Sequence, residues 1–308
     1  MSQPSSPSSP LSPARKQRIT GHALAFGTCL VWGFTFVASK LLLNEGLSPF
    51  ESMLLRFCVA YFALWAICPK RLAFTSWRDE LSYALCGLFG VTVYFLFENF
   101  SLTATSAAFT GIITGAAPLA VALAMWVAYK LRPSKLFVVG FVVAITGITL
   151  VTTSGGSGLQ VTLAGGLLAV GATVSWGIYC VALRRIDQSG STNTILITRR
   201  IFFWSLVSML LCLPIFGFDV SDVNLVSPDL LIPLALLALL GSSLAYVAYN
   251  RANELIGAVK ASIYIYFIPA INAIAAFFVL DEVILPLGIF GILLLTAGLI
   301  VSERGTKE

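Results

Sequence analysis

Arg56 and Arg200 stand 144 residues apart, each about seven residues inside a long apolar stretch. A guanidinium at that depth is costly unless it reaches the interface, pairs, or meets water. Its chemistry there is either that of a cavity charge, attracting a carboxylate or holding a gate, or that of a fixed structural bond. Glu98, followed by Asn99, could pair with a base, carry a coupling proton, or anchor a helix end. Tyr246, Tyr249, Asn250 and Asn253 recur at spacings of three and four, so one helix would gather them on a single polar-aromatic face. Tyr94 occupies the corresponding stretch of the first half, and Lys260, Tyr264 and Phe267 mark a further face. Trp32 and Trp176 each precede a glycine, Gly33 and Gly177, which suits either close helix packing or the wall of a cavity. Arg199, beside Arg200, is expected at the interface.

Several chemistries are disfavoured by what these residues lack around them. His22 is the sole histidine, and the six cysteines (Cys29, Cys58, Cys68, Cys86, Cys180 and Cys212) include no CxxC pair. A zinc site, a disulfide framework and a histidine-based triad therefore have little to build on. No phosphate-binding glycine loop or HExxH pattern occurs, and the Ser/Gly stretch at 154–158 has the composition of a loop. The expectation is a protein that is not an enzyme, with no cofactor and no metal.

The elements that must position these residues are apolar spans. Hydrophobic residues make up 58% of the chain, charged residues 11%, and the mean hydropathy is +0.92, outside the range of a soluble domain. Apolar stretches run over roughly 20–43, 49–68, 80–98, 103–129, 135–152, 162–183, 192–216, 230–250, 258–280 and 284–302. Each approximates the length of a membrane-crossing helix. Breaks fall at Ser48-Pro49, Pro69, Arg132-Pro133 and Asp219–Pro228, with the shortest connection at 98–103. Pro118 and Pro269 predict matching kinks in the fourth and ninth spans, and the acidic pair Asp281-Glu282 suits the turn after the ninth.

The net charge of +5 is distributed as a topology signal rather than as a nucleic-acid-binding patch. With the N-terminus inside, 15 basic residues fall in inner segments, Lys40 alone in an outer one, and Arg56, Arg199 and Arg200 within spans. The outer 217–229 loop carries Asp219, Asp222 and Asp229. Both termini are thus expected in the cytoplasm.

The chain also repeats itself. Gly21, Ala25, Gly27, Trp32, Gly33 and Arg56 return as Gly165, Ala169, Gly171, Trp176, Gly177 and Arg200. Pro118, Ala122, Gly140 and Gly147 return 151 residues later as Pro269, Ala273, Gly291 and Gly298. Five spans per half is odd, so the second copy would cross the membrane in the opposite sense. The expected fold is an all-α integral membrane protein of ten transmembrane helices in two inverted five-helix repeats. Residues 1–19 form a disordered cytoplasmic tail, 20–152 and 162–302 the repeats, and 303–308 a second tail.

Loose motifs in that order carry a family resemblance over about 20–302. They are LVWGFTFVASK at 30–40, SPF leading to LLRF at Arg56 and Phe57, YFLFENFSLTATSAA at 94–108 and AAPLAV at 116–121. SWGIYCVALRR at 175–185 and IYFIPAINAIAAFFVLDE at 265–282 follow in the second half. The chain resembles the drug/metabolite transporter superfamily, in its EamA-type ten-helix members. The resemblance implies a bacterial inner membrane or an equivalent one, and alternating access around a central cavity. It implies that spans one, three, four, six, eight and nine line that cavity. Trp32, Tyr94, Trp176, Tyr246, Tyr249, Asn250 and Tyr264 are the expected substrate contacts, with Arg56, Glu98, Arg200 and Lys260 as gating or charge-coupling groups. Where the family ends its ninth span in Gly-Glu, this chain has Asp281-Glu282, with Lys130-Leu131 as the first-half counterpart.

The expected function is secondary transport of a small metabolite, preferably export of an amino acid or related amphipath. The expected partners are a small-molecule substrate, the lipid bilayer and a candidate proton or counter-substrate, without nucleic acid. Uptake by the same architecture and a membrane scaffold are the alternatives.

Overall fold

A computed structural model describes residues 13–105, 107–153, 162–187, 193–280 and 286–305, and these residues form helices with no strand among them. Helix α1 (Pro13–Asn44) begins earlier than hydropathy alone suggests, because a helix continues through the polar turn Arg15–Arg18 once the apolar run behind it is helical. Helix α2 (Pro49–Ile67) starts at a capping box. The Ser48 side chain accepts from the Glu51 amide, the Glu51 side chain accepts from the Ser48 amide, and Pro49 takes the first helical position.

Helices α3 (Trp77–Gly87) and α4 (Tyr94–Ala104) join through a π-helical segment, Leu88–Val93, into one rod. This corrects the expected break at 98–103. YFLFENFSLTA contains no glycine or proline, so nothing in it stops the helix before Ala104. Glu98 consequently lies well inside the rod and is buried. The 103–129 stretch is divided instead, into α5 (Ala107–Thr114) and α6 (Ala117–Tyr129), with Pro118 just inside α6. Its counterpart is divided at the matching place: α12 (Ala258–Ile263), a 3₁₀ turn at Tyr264–Phe267, and α13 (Ile268–Leu280) with Pro269 as its second residue. A proline cannot donate to the preceding turn, and both helices restart around it.

The remaining elements are α7 (Lys135–Thr153), α8 (Leu163–Asp187), α9 (Thr194–Phe216), α10 (Pro228–Ala235), α11 (Ala245–Ile256) and α14 (Pro286–Gly305). Helices α10 and α11 are joined by a second π-helical segment, Leu236–Leu244. Among the described residues, six helices or rods are long and apolar enough to cross a membrane: α1, α2, Trp77–Ala104, α8, α9 and Pro228–Ile256. Four shorter apolar helices accompany them. The Ser/Gly stretch at 154–158 and the Asp281-Glu282 pair lie outside the described residues.

Packing follows the repeat. Helix α1 lies against α11 and α13, and α8 lies against α4 and α6. Helices α7 and α14 meet along glycines. A methyl added at Gly140 would lie 2.7 Å from the Gly298 carbonyl oxygen, and one added at Gly147 would lie 2.6 Å from that of Gly291. The backbones can approach that closely only because no Cβ intervenes. At the end of α6, Lys130 adopts φ 61°, a left-handed conformation that an L side chain adopts at a cost and glycine adopts freely. Lys130 is the first-half counterpart of the place where the resemblance puts a glycine at the end of the ninth span. In the 217–227 loop, the amide and hydroxyl of Ser221 donate to the exposed Asp219 carboxylate and hold its pKa below the ordinary aspartate value. The Asp219 amide donates to Glu51 at 2.8 Å, fastening this loop to the start of α2.

Candidate functional site

The broken stretches, and the helical turns that follow the π-helical segments, border one cavity. Trp32, Thr35 and Phe36 reach it from α1, Arg56 from α2, and Tyr94, Phe95 and Glu98 from α4. Thr114 and Ala117 flank the α5–α6 break, Trp176 comes from α8, Tyr246 from α11, and Ile265 and Ile268 from the break in the ninth stretch. The space measures about 30 Å³, enough for roughly two waters. An amino-acid-sized molecule therefore needs side chains or helices to move before it fits.

The wall is aromatic and tightly interlocked. The rings of Trp32 and Trp176 meet edge to face at 5.3 Å and 87°, and Trp32 lies 5.6 Å from Tyr246 and 5.1 Å from Tyr249. Tyr94 lies 5.3 Å from Trp176. Such offset contacts between rings add roughly 0.5–1.5 kcal/mol each beyond their buried area.

Two charges face this lining. Arg56 is buried; its Nε donates to the Ser242 hydroxyl at 2.6 Å, and its guanidinium carbon lies 4.5 Å from the Phe95 ring centroid. Glu98, also buried, is the acidic residue of the cavity. The ion pairs among the described residues are Arg200–Glu80 and Arg251–Glu254. A guanidinium held by a hydroxyl and aromatic faces keeps N–H donors available for a carboxylate.

The π-helical segments supply backbone acceptors to the same place. In a π-helix the amide bonds five residues back, which disturbs the ordinary four-residue ladder. At the end of the first segment the Tyr94 amide bonds Val91 O, only three residues back, passing over Gly90 O, and the Tyr246 hydroxyl donates to Gly90 O at 2.7 Å. The Ala245 amide bonds Leu240 O and Ser242 O, passing over Gly241 O, and Trp32 Nε1 donates to Gly241 O at 2.9 Å. Ser175 donates to Phe89 O at 2.6 Å.

Of the residues singled out in the sequence, Trp32, Arg56, Tyr94, Glu98, Trp176 and Tyr246 line the cavity together. The others sit elsewhere. Tyr249 is fully buried and lies behind the two tryptophans. Asn250 accepts from the Tyr179 hydroxyl and donates to Thr198 at 2.9 Å, a bridge linking α11 to α8 and α9. The Tyr264 hydroxyl meets His22 Nδ1 at 2.8 Å. Lys260 lies on α12, outside the lining. Arg200 grips the buried Glu80 through Nε at 3.0 and 3.1 Å and Nη2 at 2.6 Å, and Trp204 Nε1 donates to the same carboxylate at 2.8 Å. Arg199, expected at the interface, is buried instead, because its guanidinium caps the backbone carbonyls of Cys68 and Lys70 after α2.

Sequence reasoning missed Thr35, Phe95, Tyr179 and Glu80. Phe95 stands 151 residues before Tyr246, so the repeat offset alone could have paired them. Thr35 is one turn from Trp32 on the same face. Glu80 carried no such signal, since acidic residues are common in a first turn.

Residues 19–153 and 163–303 each match the profile of the EamA-like transporter family. An uncharacterized transporter of Archaeoglobus fulgidus is 26% identical over 265 residues, covering 85% of this chain and 89% of its own. A probable terminal-alkyne amino-acid exporter of Streptantibioticus cattleyicolor is 27% identical over 283 residues, covering 91% and 92%. A solved crystal structure shares the fold with a TM-score of 0.74 at 18% identity, covering 93% of this chain and 97% of that one.

Proposed function

The chain belongs to the EamA-like transporter family of the drug/metabolite transporter superfamily, and from that premise we propose that it carries small metabolites across a cell membrane by alternating access, exporting amino acids or related amphipathic compounds. In this reading ten spans form two inverted five-helix repeats, in an inner or plasma membrane, with both termini cytoplasmic. The positive-inside distribution and the doubled family match support it. The observation that carries the substrate class is the placement of Arg56 and Glu98 in one aromatic cavity. A zwitterion offers a carboxylate to the guanidinium and an ammonium to the carboxylate, while the rings cover its apolar part. The exporter named for amino acids among the relatives points the same way.

Arg56 orients the cargo carboxylate, and Glu98 receives its ammonium or a coupling proton. Arg200 with Glu80 closes the other end of the α3–α9 contact as a gate. The test is counterflow in proteoliposomes, screened with mixed amino acids, nucleobases and small organic cations. Saturable exchange confined to amino acids is the expected result. Exchange of organic cations with no response to amino acids would overturn the zwitterion assignment, and no saturable flux of any class from correctly inserted protein would overturn transport.

A further inference from the structure

The two tryptophans of the repeat are bonded unequally. Trp32 and Trp176 occupy equivalent places, and so do Gly90 and Gly241, which stand 151 residues apart, the offset that also relates Pro118 to Pro269. Each glycine carbonyl is passed over by the amide four residues on. Symmetry would give each carbonyl to the tryptophan of the opposite repeat. Trp32 Nε1 does take Gly241 O at 2.9 Å. Trp176 Nε1, in a side chain only 3% exposed, reaches no backbone acceptor; its neighbour is the Tyr249 hydroxyl, which it meets outside full hydrogen-bond geometry. Gly90 O is held instead by Tyr246. A buried indole N–H that lacks a well-aligned acceptor favours a state in which it gains one.

Gly90 lies in the segment that α8 packs against. Ser175, the preceding residue, already donates to Phe89 O, and the Tyr179 ring lies where a Gly90 side chain would project, 2.6 Å from the built Cβ. Glycine at this position lets the α8 side chains approach the π-helical backbone.

We propose that Trp32 and Trp176 are a reciprocal switch: in the alternate conformer Trp176 Nε1 donates to Gly90 O, Tyr246 gives up that carbonyl, and Trp32 releases Gly241 O. The inference rests on the transport reading with inverted repeats, and it names the groups through which the two halves exchange roles. Trp32 and Tyr246 line the cavity, so cargo that engages either side chain alters the π-helical segment bonded to it. The segments then return toward, or depart from, the ordinary ladder in opposite senses in the two halves.

The experiment is magnetic resonance of the ¹⁵N-labelled indole groups of the full chain in lipid nanodiscs, where a bonded indole proton resonates downfield of an unbonded one. The chain has six tryptophans, and single Trp→Phe variants assign them. In the wild type the major form shows Trp32 bonded and Trp176 unbonded. Trp32→Phe is expected to move the Trp176 signal downfield. Tyr246→Phe, which vacates Gly90 O while keeping the ring, is expected to move Trp176 downfield and Trp32 upfield. The ratio of the two forms should change roughly fivefold, the size one hydrogen bond supplies. Should either variant fail to fold, the wild type alone decides the matter, since the Trp32 and Trp176 signals must exchange at one common rate. A Trp176 signal that stays upfield in both variants, or that exchanges independently of Trp32, overturns the switch. Saturable flux with uncoupled indole signals would sink this inference alone, whereas coupled signals without flux would sink the transport reading and leave the switch standing.

Discussion

Arg56 tests the site at the scale of single residues. Its Nε bond to Ser242 and its contact with Phe95 fix the guanidinium plane toward the cavity. Lysine keeps the charge but cannot reproduce a planar, bidentate grip on a carboxylate. Arg56→Lys should therefore lower initial flux of amino acids by about tenfold or more, the effect of roughly 1.4 kcal/mol, in vesicles matched for protein content. Equal flux would remove Arg56 from cargo contact. Glu98→Gln keeps shape and removes the titrating group, so a folded variant should transport with rates that no longer vary with pH. A retained pH profile would exclude Glu98 as the proton carrier. These two residues were legible in the sequence because ionised groups inside apolar stretches are conspicuous. Glu80 was not, since its significance lies entirely in Arg200 and Trp204 reaching it from α9. Asn250 shows a second limit of spacing. Its polarity suggested a cargo contact, yet its amide is committed to Tyr179 and Thr198. Sequence spacing shows which residues share a face, and only the packing shows what that face meets.

At the scale of elements, the ends and interruptions of the helices carry the information. Lys130 holds φ 61° at the end of α6, where a glycine relieves the crowding of the Cβ. Lys130→Gly should raise the stability of the purified protein by about 1 kcal/mol, read as a higher midpoint in thermal unfolding. A lower midpoint would mean that the Lys130 ammonium, which donates to Val127 O, matters more than the strain. The α7–α14 seam makes the reverse prediction. Gly147→Leu would drive a side chain into the Gly291 carbonyl, separate the helices, and destabilise by about 1–3 kcal/mol or more. Composition predicted the apolar stretches and the prolines predicted both breaks, because a missing amide acts locally. The π-helical register itself was not legible beforehand. Gly90 in LFGVTV and Gly241-Ser242-Ser243 in LLALLGSSL weaken the ordinary ladder locally, but the shift is sustained by side chains from α1, α8 and α11 that no local pattern reveals.

The whole molecule presents apolar side chains to its surroundings, including Phe62 at 63% exposure and Leu211 at 74%. In a bilayer these are lipid contacts, and the basic residues set the orientation. Cysteine-free protein carrying Val226→Cys in the acidic loop should react with a membrane-impermeant maleimide in intact cells. The same protein carrying Phe74→Cys, beside Lys70, Arg71 and Arg78, should react only after the membrane is inverted. Both positions are exposed. Labelling of the two from one side would refute the proposed topology. The glycine seam adds a final consequence. Gly140 faces Gly298, Gly147 faces Gly291, and these are repeat mates in crossed order. That reciprocity is the signature of a twofold interface between identical subunits. One glycine contact is thus used twice along the seam, while the paired arginines are held differently, Arg56 by Ser242 and Arg200 by Glu80.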